Sequence, residues 1–510
     1  MKNSEHLFFL IKSLSKAEKR SFKLFARANV QGENNYTILF DAIDKMQSYD
    51  HGVLIKKLKG KVDSGSISTI KVQLSNLILK SLRHNNSINS PNAELRMYSD
   101  YLQILYEKGL YSQCKKLLNK VKALARDYEE YLAIDSLSIL EYQIAIKESN
   151  ADDLKHYIDV TYPEVKQARA TNEMLAEFEV LSAKMRRLLL ESTSVGGSLT
   201  EDRFKSIIED PLLKLDIEKY PLLCRVEFHT IWGHYHYTMN AQKQTYYHRK
   251  TVLELIEQGQ FGERFWLTHA RFLLVSLTTF KMFDAFDHEL DLITKRINET
   301  PANRRSATFQ AELNATLHNI RFHRDLDEGN FERIAEYVSE LETRYQSSNH
   351  LMDTNLKMAF YFNLSYAYLG NEDYKKGLYC VNELLNTSEM RNLREDIQSH
   401  ARIINICIHY RLENYELIPS NVLSTQRYLK SKNRHNPLLT RFLKFANKYF
   451  IEPYHEKMHD AFLNEIEECK ALIVDDRDSQ LTLDYIQLIA WLESIKTATS
   501  MESCMKAAKK

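Results

Sequence analysis

Five times in this chain an aromatic residue is followed by small or apolar residues three, seven and ten positions later. The copies are "LYSQCKKLLNKV" (Tyr111, Cys114, Leu118, Val121), "MFDAFDHELDLI" (Phe283, Phe286, Leu290, Ile293), "NFERIAEYVSEL" (Phe331, Ile334, Val338, Leu341) and "DYKKGLYCVNEL" (Tyr374, Gly377, Val381, Leu384), with a weaker one in "NYELIPSNVLST" (Tyr415, Ile418, Val422, Thr425). The last four anchors stand 48, 43 and 41 residues apart, and Leu154 in "ADDLKHYID" falls 43 after Tyr111, in the same register. Positions three, seven and ten residues on share one face of a helix. Each copy therefore predicts the second helix of a helical pair, with its aromatic closing the turn before it. One pair cannot bury its own apolar face, so the copies must stack.

The rest of the chain agrees. At 510 residues it exceeds one compact core. Its 13 Gly and 8 Pro are too few for sheets joined by tight turns. The apolar period stays near 3.6, broken mainly at "STSVGGSLTED" (192–202) and "ETPANRR" (299–305), and no sustained strand alternation occurs. The fold class is all-α. No GxxxxGK[ST] or GxGxxG is present, which argues against a nucleotide-cradling loop. The six cysteines (114, 224, 380, 407, 469, 504) include no CxxC pair and suit a reducing compartment. The run "LFFLI" is too short for a signal-peptide core, and no stretch approaches a bilayer-spanning length, so a soluble, cytoplasmic protein without a membrane contact is expected.

The segment "YFNLSYAYLGNEDYKKGLYCVNELL" resembles a tetratricopeptide repeat (TPR). Tyr361, Leu364, Ser365, Ala367 and Tyr368 match its first helix, and Tyr374, Gly377, Val381 and Leu384 match its second. The resemblance is good over 355–390 and loose over 93–450. The copies here lie 41–48 residues apart against 34 in a TPR, which implies longer helices. It implies a right-handed α-solenoid over residues 93–510, with a concave groove that takes a peptide or partner helix.

The polar stretch "HNNSINSPN" (84–92) reads as a linker, centred on 87–92. Residues 1–86 before it read as a basic module of about four helices. Residues 1–90 hold 15 Lys and Arg against 7 Asp and Glu, the remainder 54 against 61. In "SKAEKRSFKLFARA", Ser15 and Glu18 form a capping box. Lys16, Lys19, Arg20, Lys23 and Arg27 then fall on one helical arc, with Ala17, Phe22, Leu24, Phe25 and Ala28 assigned to the far side. Such a row fits an acidic protein partner or a phosphate backbone. The helix from "SISTIKVQLSNLILKSLR" is mostly core and a poor recognition helix.

Two motifs invite chemistry. "YHEKMHD" contains HExxH, which on one helix would set His455 and His459 on zinc with Glu456 as general base and Asp478 as the best-placed further ligand. Lys457, Asp460 and the nearby Pro453 do not suit that helix. Both histidines are expected instead on a packing stripe with Met458, Phe462, Ile466, Cys469 and Ile473. In "FHTIWGHYHYTMNAQKQTYYHRK" (228–250), His229 and His236 share a face with Trp232 and Gly233, read as close helix packing with aromatic knobs rather than a ligand site. The expectation is a non-enzymatic interaction scaffold with no cofactor, no metal and no catalytic residue. A nucleic-acid-binding regulator acting through residues 1–90 is the second expectation, and a zinc metallopeptidase the third.

Overall fold

The computed structural model describes residues 3–507 apart from 30–34, 47–48, 60–65, 87–90, 195–200, 260, 300–304, 349–351, 353, 391–392, 433–436 and 476–482. Among the described residues it is helical, with no strand. The described residues of the N-terminal region form five helices, rather than about four: α1 (Asn3–Ser13), α2 (Lys16–Asn29), α3 (Asn35–Asp44), α4 (His51–Leu58) and α5 (Ile67–Asn86). Helix α5 ends at Asn86 and α6 (Pro91–Glu107) begins at Pro91; residues 87–90, the centre of the expected linker, lie outside the described residues. Pro91 suits a first turn, where its missing N–H has no partner to lose.

From there helices follow in sequence and pack mainly on their neighbours: α7 (Tyr111–Asp127), α8 (Tyr131–Glu148), α9 (Ala151–His156), α10 (Tyr162–Ser194), α11 (Glu201–Ile208), α12 (Leu222–Thr238), α13 (Gln242–Gln258), α14 (Glu263–Thr279), α15 (Phe283–Glu299), α16 (Ala307–Glu328), α17 (Phe331–Ser348), α18 (Thr354–Gly370), α19 (Tyr374–Asn386), α20 (Glu395–Arg411), α21 (Ile418–Ser431), α22 (Pro437–Tyr449), α23 (His459–Asp475), α24 (Leu483–Thr497) and α25 (Met501–Ala507). The expected stripes are buried: Cys114, Leu118 and Val121 on α7, Ile334, Val338 and Leu341 on α17, Gly377, Val381 and Leu384 on α19, Ile418, Val422 and Thr425 on α21. On α15, Phe286 and Ile293 are buried and Leu290 packs against the core at its edge.

One backbone device closes these pairs. Gly109, Asn240, Lys281, Gly329, Glu372 and Glu413 all have positive φ. In five of the six turns the anchor aromatic follows two residues later. Past Gly109, Lys281, Gly329 and Glu413 the next N–H returns to a carbonyl five residues back: Leu110 to Leu105 at 2.9 Å, Met282 to Leu277 at 2.9 Å, Asn330 to Asp325 at 2.8 Å and Asn414 to His409 at 3.0 Å. This is the left-handed helix C-cap that satisfies the last free carbonyls. At Gly329 the conformation also meets a close approach, since a Cβ would lie 2.9 Å from that of Met505.

The buried apolar residues among those described form five clusters that follow one another along the chain, from Leu7–Ile78 to Phe322–Met505. The last is the largest because the chain returns on itself there. The amide of Glu332 donates to Glu502 at 3.1 Å and Arg411 donates to Ser494 at 3.0 Å. Helix α10 also touches α20.

Candidate functional site

The basic stripe forms on α2, but not as an open row. The capping box is present: the Ser15 amide donates to Glu18 Oε2 at 2.7 Å, and the Glu18 amide donates to Ser15 Oγ at 3.2 Å. Phe22 and Ala26 are the buried face; Ala17, Leu24 and Ala28 are exposed, not on it. Lys19 pairs with Asp44 and Lys23 with Asp41, each at 2.7 Å. Both partners lie on α3, against which α2 packs. Lys16, Arg20 and Arg27 remain exposed, as do Lys56, Lys57 and Lys59 at α4.

The HExxH stretch is not one helix. His455 is extended (φ −146°), Glu456–Met458 form a 3-10 turn, and α23 begins only at His459. The two imidazoles therefore do not share a helical face. The His455 ring lies 3.7 Å from Glu452, and His459 Nδ1 lies 3.2 Å from the Tyr454 hydroxyl. Contrary to the expectation of packed histidines, both are exposed; the buried stripe starts at Met458 and continues through Phe462, Ile466 and Cys469. The physical reason is local: Pro453 and the extended residues after it delay the helix by a turn. Asp478 and the side chain of Ile473 lie outside the described residues. Among the described residues, no group of three or more His, Cys, Asp or Glu is placed to hold a metal ion.

The histidine–aromatic run is a packed cluster. Gly233 lets α12 and α13 approach closely, since a Cβ there would meet Arg249 Cγ at 3.2 Å and His248 Cβ at 3.6 Å. His248 lies eight residues past Asn240 and Trp232 eight before it, so a turn at Asn240 brings the two together. Their rings stack at 6.1 Å, with His236 stacked on His248 at 5.3 Å and on Trp232 at 5.4 Å. His229 Nδ1 lies 2.9 Å from His248 Nδ1. One of these nitrogens must donate and the other accept.

Behind this stack, Arg249 is buried, donates to the Phe272 carbonyl and lies over the Tyr237 ring at 4.6 Å. His234 and His269 flank the same Phe272 ring at 5.0 and 5.9 Å. Burial lowers the pKa of all these groups. His248 falls to about 3, with neighbouring His229 and His236 adding to the effect, and His269 to about 4, helped by Arg186 and Arg249. Arg249 falls to about 10, and His234 drops well below its ordinary value. Neutral imidazoles at pH 7 fit a packing role. His229 and His236 were legible in the sequence; His234, His248 and His269 were not assigned, and the symmetric spacing about Asn240 is the signal that marks His248.

A row of exposed apolar side chains lies elsewhere. Helix α8, "YLAIDSLSILEYQIAIKE", buries Ile134, Leu137 and Ile144 on one side. On the other it leaves Leu132 (68% exposed), Ile139 (51%), Tyr142 (43%) and Ile146 (47%) in the open. These fall at i, i+7, i+10 and i+14, a single stripe about 21 Å long. Tyr142 meets Tyr157 at 5.1 Å, where a π-helical turn (Tyr157–Thr161) carries the chain into α10 and exposes Ile158, Val160 and Tyr162.

No known protein family, curated protein or solved structure matches this chain. Its fold and surfaces alone must therefore carry the reading. Among the described residues, no helix is long and apolar enough to cross a membrane. The six cysteines are unpaired and buried, and burial raises the thiol pKa of Cys114, Cys224, Cys380, Cys407 and Cys469, which keeps them unreactive.

Proposed function

We propose that the protein is a cytoplasmic, non-enzymatic scaffold of TPR-like helical pairs whose partner is a protein. The observation that supports this is the open stripe on α8. A helix apolar on two faces has one face too many for its own fold, and contiguous apolar surface of this kind marks association sites. A stripe of four side chains at helical spacing suits an amphipathic helix laid along it, with apolar anchors filling the gaps between Leu132, Ile139, Tyr142 and Ile146. Affinity purification of the tagged chain from its native cell, with and without nuclease, tests the reading. It predicts a stoichiometric protein that survives nuclease treatment. Recovery of nucleic acid alone, or of nothing, contradicts it.

The second reading, a nucleic-acid contact through residues 1–90, is favoured by the exposed Lys16, Arg20, Arg27, Lys56, Lys57 and Lys59. Because Lys19 and Lys23 are already paired with Asp44 and Asp41, fewer cations are left to displace counterions from phosphates. Steep salt dependence of DNA or RNA binding, abolished by Lys16→Glu, Arg20→Glu and Arg27→Glu together, would establish it; flat, weak binding would remove it.

A further inference from the structure

The cluster between α12 and α13 combines three features that its packing role does not require. Its imidazoles meet each other rather than carboxylates: His229 faces His248 at 2.9 Å, and His236 and Trp232 complete the stack. A second pair, His234 and His269, lies one layer deeper around Phe272. His234 Nε2 and His229 Nε2 are buried without a hydrogen-bond partner.

The cations nearest the deeper pair are unfavourable to a proton, and most of the other charges around this group are paired off. Helix α10 supplies Arg186, which acts on His234 and His269. Helix α13 supplies Arg249, and α14 supplies His269 and Arg271. On α12 itself Arg225 opposes a charge on His229, and Glu218 in the short turn before α12 favours one, but those two groups are paired with each other. Glu227 faces α10, where it accepts from Ser182 at 2.5 Å and feels Arg186 and Glu179. On α11, Arg203 pairs with Glu191 and Lys205 with Glu201. Toward α15, Lys250 pairs with Glu289 and Arg296 with Glu257.

We infer that the α12–α13 hairpin is an acid-operated latch, held shut by imidazoles that are neutral at the closed interface and parted when they take up protons. The His229–His248 contact needs one nitrogen with a lone pair, and two imidazolium rings would set N–H against N–H. Opening lets each imidazole recover its ordinary affinity for a proton. The histidines have lowered pKa values in the closed form, so the open form binds more protons. Stability of the closed form is complete above pH 6.5 and declines as pH falls toward the closed-state values of about 4 for His269 and about 3 for His248. Opening exposes the Trp232 face and frees the region to present it.

Hydrogen exchange of the full chain, read by mass spectrometry at pH 7.5 and 5.5 after scaling for intrinsic rates, tests this. Peptides from 222–258 are expected to lose protection by about tenfold or more at pH 5.5, while peptides from α18 and α19, which hold no histidine, change little. His248→Phe, which keeps a ring in the stack without a titrating nitrogen, is expected to blunt the response. Where that variant does not fold, His236→Phe at the half-buried end of the stack gives the same reading. Unchanged protection at 222–258, simultaneous opening of the whole chain, or a full response in the folded variant would overturn the latch.

Discussion

Helices α8 and α18 are both apolar around most of their circumference, yet the molecule treats them differently. Helix α18 is enclosed: 12 of its 17 residues are buried, including Leu356, Met358, Phe360, Leu364 and Ala367. It lies among α16, α17, α19 and α20, in a region the chain closes by returning α25 to the turn at Gly329. Helix α8 has α7 and α10 as its main neighbours and keeps one face open. The same kind of sequence thus becomes core where the chain folds back and surface where it does not. Tertiary enclosure, rather than composition, decides which apolar face is available to a partner.

The comparison can be broken by substitution. Phe331 is fully buried beneath Gly370, and Phe331→Ala is expected to cost about 3–5 kcal/mol in urea unfolding. Gly370→Ala would drive a methyl into the Phe331 ring and cost about 1–3 kcal/mol. Acidification from pH 7.5 to 5.5 is expected to lower stability through His234, His248 and His269, whose pKa values burial lowers, so that the unfolded chain is the better proton acceptor. A thermal midpoint that rises on acidification would contradict that sign. In the N-terminal region Ser15→Ala should cost about 1 kcal/mol by leaving the Glu18 amide uncapped. At the far end of the scale, Ile139→Asn on α8 should change stability by less than about 0.5 kcal/mol. A loss there as large as that of Phe331→Ala would mean that the α8 face is core after all.

Much of this was written in the local sequence. The stripes after Tyr111, Phe331, Tyr374 and Tyr415, and the Ser15–Glu18 capping box, depend on residues within one or two helical turns of each other, and they appear where the pattern puts them. The turns were less legible, because Lys281, Glu372 and Glu413 adopt the positive φ that sequence reading reserves for glycine or asparagine. Long-range partners were not legible at all. Nothing near Lys19 or Lys23 announces Asp44 and Asp41 on another helix, and nothing near Gly329 announces Met505. HExxH misled in its own way: a helical wheel assumes a helix, and Pro453 with extended His455 postpones that helix past the first histidine. The α8 stripe was visible in "YLAIDSLSILEYQIAIKE", but periodicity alone does not tell which of two apolar faces the fold will cover.

The central claim, that the open α8 face holds a protein partner, is tested most directly by repeating the purification with Ile139→Asn, Tyr142→Asn and Ile146→Asn combined. Circular dichroism and sedimentation of both proteins accompany it. The account predicts unchanged helicity, and a nuclease-resistant partner bound by the wild-type chain at least tenfold more than by the variant, a difference of about 1.4 kcal/mol. Equal recovery from the folded variant would contradict it, and so would a wild-type dimer that the variant dissolves with no other partner present.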